Sequence, residues 1–261
     1  MTRPTPDLVA IRMVVLDDVR RFYAEEVCVC ANVRSPALVE AFATVPRERF
    51  LGPGPWQIAY PDLARPGRVA YQATDDADPR HLYHNVLVAI DPARELNNGH
   101  PSSLAAWLDA VVLREGDRVF HMGCGVGYYT AIMAHVVGPG GRVLAVEADP
   151  ALAERARVAL GDYAQVEVRA GDGTAVDPGA VDVVIANAGL THAPPLWLDR
   201  LADGGRMLLP LTAALGTPAG SAGFMLRVER AGGSYAARFI SPVAIFASVG
   251  GRDPLPRGGP R

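Results

Sequence analysis

The sequence predicts an α/β fold: a mostly parallel sheet with helices packed against it, an antiparallel C-terminal hairpin, and a helical N-terminal region. Three observations predict it. From residue 118 onward, short apolar runs alternate with helical patterns, which implies a parallel sheet with right-handed crossovers. The glycine run Gly123-Cys124-Gly125-Val126-Gly127 falls between the first of these strands and the helix that follows. Near the C-terminus, Ala231-Gly232-Gly233 separates two apolar stretches and reads as a hairpin turn.

Each element has a local justification. Residues 7–32 place Leu8, Ile11, Val15 and Val19 near a 3.6-residue period, so a helix is expected. Ser35-Pro36 opens a second helix over 37–44, because serine caps and proline suits the first turn. Val45-Pro46 ends it. Residues 52–68 are rich in Pro and Gly and read as loop. Short strands are expected at 68–74 and 84–90, separated by the acidic turn Asp75-Asp76-Ala77-Asp78-Pro79. The polar turn Leu96-Asn97-Asn98-Gly99-His100-Pro101-Ser102-Ser103 feeds a helix over 103–113. Strands follow at 118–122, 142–146, 166–169 and 181–186, with helices at 128–137 and at 150–160, the latter capped by Asp149. A short helix at 196–201 precedes the turn Gly204-Gly205 and a strand at 206–210. The hairpin strands are 224–230 and 234–240, and residues beyond Arg252 read as a loose tail. The expected organisation is an N-terminal substrate-side segment (1–100), a ligand-binding core (101–215), a C-terminal hairpin completing the sheet (216–252) and the tail (253–261).

Composition narrows the chemistry. The 261 residues carry 25 basic side chains, every one an arginine. Without lysine there is no Schiff-base anchor and no lysine to cradle a nucleoside triphosphate. The net charge of −3 comes with no block of basic residues, so nucleic acid is not an expected partner. Cys28, Cys30 and Cys124 make no disulfide framework, and Cys28 and Cys30 stand too close for a zinc spacing, so no metal is expected. No charged-then-apolar leader is seen, and no apolar run reaches the ~18 residues of a membrane span. A reducing cytoplasm is the expected compartment, and a monomer is slightly favoured.

Ligands in parallel α/β folds bind beyond the carboxyl ends of the strands. The first strand end carries Met122-Gly123-Cys124-Gly125-Val126-Gly127-Tyr128-Tyr129. Glycines let the backbone turn sharply and let a ligand approach where a Cβ would clash. Their G-x-G-x-G spacing differs from the G-x-G-x-x-G of nicotinamide enzymes, which aims a helix start at a pyrophosphate. Glu147 with Ala148 ends the second strand, where a carboxylate can accept both hydroxyl hydrogens of a ribose. Gly171-Asp172-Gly173 ends the third, where an aspartate can accept the exocyclic amine of adenine. Asn187 follows the fourth. A nucleoside without phosphates fits this order.

These residues resemble the class I S-adenosylmethionine-dependent methyltransferases, which have a Rossmann-like sheet, and within them the protein-L-isoaspartate O-methyltransferase family. Gly127-Tyr128-Tyr129-Thr130-Ala131 is similar to the family's G-Y-x-T-A, and Val45-Pro46-Arg47-Glu48-Arg49-Phe50 to its V-P-R-x-x-F. Leu113-Arg114-Glu115-Gly116-Asp117-Arg118-Val119, Gly171-Asp172-Gly173 and Gly204-Gly205-Arg206 also match. The likeness spans roughly residues 35–212. It implies S-adenosyl-L-methionine as cofactor, held by His121, Gly123, Cys124, Gly125, Gly127, Tyr128, Glu147, Ala148, Gly171, Asp172, Gly173 and Asn187.

Two departures stand out. His121 occupies a position where the family usually has an acid that helps place the cofactor's methionine end. In the family's I-S-x-P segment, aligned on Pro101, Gly99 stands where the serine belongs, flanked by Asn98, His100, Ser102 and Ser103. Those four are the expected acceptor-side catalytic residues. The 68–90 segment is expected to form a substrate lid, and the 187–192 loop to close over the acceptor. His100 and His192 are candidate bases should the acceptor be a hydroxyl or amine. A carboxylate acceptor needs none, because it is ionised at neutral pH. The leading expectation is methylation of a carboxylate in a protein or peptide. Alternatives are a small-molecule or modified-peptide acceptor, and a non-catalytic protein that binds the cofactor.

Overall fold

The computed structural model describes residues 6–65, 68–217 and 220–253. Helix α1 (Pro6–Ala31) is followed by α2 (Pro36–Thr44), whose cap Ser35 accepts the Leu38 N–H on its hydroxyl. Of the apolar period expected in the first helix, Leu8, Ile11 and Val15 lie outside the described side chains. A single turn, α3 (Glu48–Leu51), precedes a small antiparallel sheet of β1 (Gln57–Pro61), β2 (Val69–Ala73), β3 (Leu87–Asp91) and β4 (Leu96–Asn97), in the order β2-β1-β3-β4.

Strand β1 corrects the expectation of a loop over 52–68. Its residues Gln57, Ile58 and Ala59 pair with Ala73, Gln72 and Tyr71, and it also pairs with β3. The flanking Pro and Gly bound a short strand rather than exclude one. The polar turn at 96–103 likewise begins as the two-residue strand β4.

Helix α4 (Pro101–Val111) leads into β5 (Arg118–Met122), α5 (Tyr128–Val137), β6 (Arg142–Glu147), α6 (Pro150–Ala159), β7 (Val166–Ala170), β8 (Val181–Ala186) and α7 (Pro195–Arg200). Asp149 caps α6, its carboxylate accepting the Ala151 and Leu152 N–H groups. The sheet ends with β9 (Leu201–Thr217), β10 (Gly220–Ala231) and β11 (Ser234–Ile245), in the order β11-β10-β9-β8-β5-β6-β7. Strands β5 to β9 run parallel, and β10 and β11 are antiparallel to their neighbours. The hairpin tip Gly232-Gly233 has positive φ at both residues, as a two-residue turn matched to strand twist requires.

Gly204-Gly205 is not a turn before the strand but an irregularity inside β9. Leu201 pairs with Val181, and pairing resumes at Arg206 with Val183. Gly204 takes φ +72° in the intervening bulge. The tail expected after Arg252 lies outside the described residues from 254 onward.

The central sheet divides two apolar layers. Strand side chains alternate between faces, so Val119 of β5 joins the layer beneath α1, α2, α4 and α5, while Phe120 and Met122 join the layer around Trp197. Phe120 meets Trp197 edge to face at 5.6 Å between ring centroids. Arg47 is fully buried between the N-terminal segment and the core. Its guanidinium donates to the Leu82, His84 and Val86 carbonyls at 2.6, 3.1 and 2.9 Å. It also lies over the rings of Tyr23 and Tyr128.

Candidate active site

A cavity of about 560 Å³ opens at the carboxyl ends of β5, β6, β7 and β8, within the ~300–1,000 Å³ usual for small-molecule sites. Its floor is the glycine loop. Gly123, Gly125 and Gly127 all have positive φ, at +76°, +57° and +95°. Gly123 N–H donates to the Val146 carbonyl, so the loop is hooked onto β6. A Cβ on Gly123 would stand 3.3 Å from the Asn187 backbone. Gly127 does not line the cavity. It caps α5, where a Cβ would meet Leu160 at 2.8 Å.

Glu147 is the best-held group in the site. Its Oε2 accepts the Gly125 N–H at 2.7 Å and its Oε1 the Asp149 N–H at 3.0 Å. Each carboxylate oxygen keeps a further lone pair for a ligand. Asp172 is oriented by Thr174, which donates its N–H and hydroxyl to Oδ1 at 2.9 and 2.8 Å. Ala148, Gly171 and Gly173 complete this wall. Cys124 also lines the cavity, and burial pushes its thiol well up, so it stays protonated beside the ligand position.

Among the other expected residues, Tyr128 is fully buried and turns away from the cavity toward Phe42 and Phe50. Tyr129, one helical step on, lines the cavity instead and donates its hydroxyl to the Gly99 carbonyl at 3.1 Å. His121 lies beneath the cavity wall, fully buried, with Nδ1 2.9 Å from Thr130 Oγ1 and Nε2 2.9 Å from Asn187 Nδ2. Burial pushes it down to about 3, so the ring is neutral. Asn187 itself lines the cavity.

On the acceptor side, Asn98 and Gly99 line the cavity, whereas His100, Ser102 and Ser103 do not. The start of α4 turns Ser102 toward Asn85, which donates to its hydroxyl at 3.1 Å. His100 Nδ1 meets the same hydroxyl at 3.1 Å. Asn98 is only 6% exposed, and its Nδ2 has no hydrogen-bond partner among the described residues. Gly99 has φ +71°, and a Cβ there would meet Leu104 and Tyr129 at 3.0 and 3.1 Å. Of the 187–192 loop, Asn187 and Ala188 reach the cavity; His192 is outside it, with Nδ1 3.4 Å from Asp253. Within the segment expected as a lid, Ile90 is the residue that lines the wall, and Arg94 and Leu96 continue it.

The sequence reading missed the C-terminal wall. Residues Ile245 to Val249 line the cavity, held by Gly189 N–H to the Phe246 carbonyl and Ser248 N–H to the Gly189 carbonyl. The signal was Gly250-Gly251: a Cβ on Gly250 would fall 2.1 Å from Asp172 Oδ2. Trp107 also lines the cavity while donating its indole N–H to Ser241 at 2.9 Å.

A seven-stranded sheet of this order, with a glycine loop and the carboxylates of Glu147 and Asp172 at successive strand ends, is that of a class I S-adenosylmethionine-dependent methyltransferase. Comparison with known proteins gives the family. The sequence profile of protein-L-isoaspartate(D-aspartate) O-methyltransferase matches residues 28–219. The protein-L-isoaspartate O-methyltransferase 1 of Rhodopseudomonas palustris is 32% identical over 209 residues, covering 76% of this chain and 74% of its own. That of Ignicoccus hospitalis is 38% identical over 138 residues, 51% of this chain, which spans 64% of that relative's length. A solved protein-L-isoaspartate O-methyltransferase superposes with a TM-score of 0.60 at 22% identity, covering 83% of this chain and 62% of its own. A Plasmodium falciparum structure assigned to the same enzyme, in complex with S-adenosyl-L-homocysteine, gives 0.65 at 14% identity, covering 88% and 97%. The chain belongs to the protein-L-isoaspartate O-methyltransferase family.

Proposed function

We propose that the protein transfers a methyl group from S-adenosylmethionine to a carboxylate oxygen of a protein or peptide. The observation that carries this reading is the Glu147 carboxylate, fixed by two backbone N–H groups beside the glycine loop. The cavity fits this cofactor. Its nucleoside wall offers the carboxylates Glu147 and Asp172, which suits hydroxyl and amine donors. The one arginine among the described residues lining it, Arg94, is paired with Asp149 at 2.7 Å.

When bound, the cofactor supplies a methyl group on an already activated leaving group. Glu147 would accept the ribose hydroxyls, and Asp172 the adenine amine. The glycine loop allows close backbone approach. Leu104, Trp107, Ile245 and Phe246 exclude water from the acceptor side, and Asn98 orients the acceptor. Alignment and desolvation are what such a transfer requires of the protein. No histidine is among the described residues lining the cavity, which supports an acceptor already ionised at neutral pH. His100 and Ser102 brace the turn that carries Asn98.

We divide the chain as the sequence suggests, with residues 1–100 on the acceptor side and 101–215 forming the cofactor core. The covering role expected of 68–90 falls to Ile90–Asn98. No helix among the described residues is long and apolar enough to cross a membrane. We assign the protein to the cytoplasm, where its three free cysteines stay reduced.

Gly99 favours a second reading, a modified peptide or small molecule as acceptor, because the family's serine contact has no counterpart at that position. Incubation with labelled methyl donor and an isoaspartyl peptide, beside its aspartyl twin, separates the two. Labelling of the isoaspartyl peptide alone is expected. Labelling of neither removes the named substrate in favour of the second reading.

A further inference from the structure

We propose that His121 is a positioning residue that holds the Asn187 amide so that its side-chain oxygen receives the amino group of the cofactor's amino-acid tail. The proposal rests on the cofactor reading above and adds the recognition of one end of that ligand.

Strand order tells where the tail lies. The strands run β8, β5, β6, β7 across the sheet. The adenine position at Asp172 follows β7, the ribose position at Glu147 follows β6, and the glycine loop follows β5. A ligand laid along these ends in that order reaches β8 last, and the residue at the end of β8 is Asn187. The acids lining the cavity are Glu147, Asp149 and Asp172, all on the β6–β7 side. A cationic amino group at the other end therefore meets no carboxylate among the described residues lining the cavity. It must be received by a neutral oxygen.

His121 decides which atom Asn187 offers. The ring is fully buried. Its two nitrogens touch Thr130 Oγ1 and Asn187 Nδ2, each at 2.9 Å. An amide nitrogen is a donor without acceptor capacity, so Nε2 must accept and the ring proton sits on Nδ1, facing Thr130. With Nδ2 donating to His121, Oδ1 is the acceptor that the Asn187 amide keeps for a ligand. The backbone of Asn187 is fixed as well, its N–H donating to the Met122 carbonyl at 2.8 Å. Asn187 is thus held through its backbone N–H and through Nδ2 before any ligand arrives, and preorganised groups bind at lower entropic cost.

Calorimetry with two ligands tests this: S-adenosylhomocysteine, which carries the amino-acid tail, and 5′-methylthioadenosine, which lacks it. His121→Leu should weaken S-adenosylhomocysteine by about tenfold, the scale of one hydrogen bond to a charged group, and leave methylthioadenosine within about twofold. Asn187→Ala, a change on the cavity wall, should show the same selectivity. Asn187→Asp introduced into His121→Leu should restore tail binding, because a carboxylate offers an acceptor in either orientation. Nitrogen NMR of the free protein should show the neutral Nδ1–H tautomer of His121. Equal weakening of both ligands, no weakening of either, failure of the aspartate to rescue, or an Nε2–H tautomer would each overturn the proposal. A wild-type protein that binds methylthioadenosine but not S-adenosylhomocysteine would overturn it alone. Binding of neither ligand would remove the cofactor reading along with it.

Discussion

Glu147 holds the glycine loop from the neighbouring strand: its Oε2 accepts the Gly125 N–H at 2.7 Å, across 22 residues of sequence. Because Oε1 also accepts the Asp149 N–H, one carboxylate ties the loop after β5 to the cap of α6. Losing it frees the loop and, on the function proposed above, removes the acceptor for the ribose hydroxyls. Glu147→Ala should therefore weaken S-adenosylhomocysteine by about a hundredfold or more, the sum of two hydrogen bonds to a charged group. Glu147→Gln, which keeps one acceptor oxygen, should lose about tenfold. Titration calorimetry reads both. An alanine variant with wild-type affinity would take Glu147 out of the site.

Arg47 ties the start of α3 to the 82–86 segment without a carboxylate partner among the described residues. Three carbonyls and two aromatic faces receive its guanidinium. A lysine keeps the charge but has no planar fork to serve three carbonyls at once. Arg47→Lys should destabilise by about 3 kcal/mol, because buried acceptors are left unpaired at ~1–3 kcal/mol each. The midpoint of a urea titration measures it. A shift too small to resolve would mean that water replaces the lost donors.

The parallel core was legible because strands such as β6 and β8 are short apolar runs and α6 begins at a visible cap, Asp149-Pro150. Glu147 and Asp172 were legible for a related reason: strand ends define where ligands bind. Pairing information was not. Strand β1 is made by its neighbours β2 and β3 rather than by its own composition. The C-terminal wall depends on a bridge between Gly189 and Ala247, distant in sequence. Tyr128 was expected on the cofactor, but adjacent helical positions differ by about 100°, and the packing of Tyr128 against Phe42 and Phe50 leaves Tyr129 to line the cavity. His100 and Ser102 were polar residues next to a site, and polarity alone did not reveal that they bond to each other and that Ser102 bonds to Asn85.

His121 gives stability a specific pH dependence. Burial pushes it down to about 3, while in the unfolded chain it titrates near 6.5. Between those values the unfolded state takes up a proton that the native state does not. Its contribution is therefore fully present above pH 6.5 and is lost as pH falls toward 3, by about 1.4 kcal/mol per unit. From pH 7 to 5 the loss amounts to about 2 kcal/mol. His100 is lowered too, chiefly by burial and then by Arg47, and adds in the same direction. Chemical denaturation of wild type and His121→Leu across pH 5–7 should show a shallower slope for the variant. Parallel curves would mean that the ring is charged or hydrated in the native state.

Asn98 separates stability from function. It is nearly inaccessible on the cavity wall, and its Nδ2 has no hydrogen-bond partner among the described residues. An unsatisfied buried donor costs about 1–3 kcal/mol, and leucine fills a similar volume without that donor. Asn98→Leu should therefore raise the melting temperature by about 2–4 °C for each kcal/mol recovered. If the amide orients the acceptor, the same change should lower kcat/KM for the methyl acceptor by about tenfold. S-adenosylhomocysteine affinity should stay unchanged, because Glu147, Asp172 and the glycine loop are untouched. Calorimetry, thermal melting and initial-rate kinetics on one variant give all three readings. A lower melting temperature with unchanged kcat/KM would show that the Asn98 amide supports the turn rather than the acceptor.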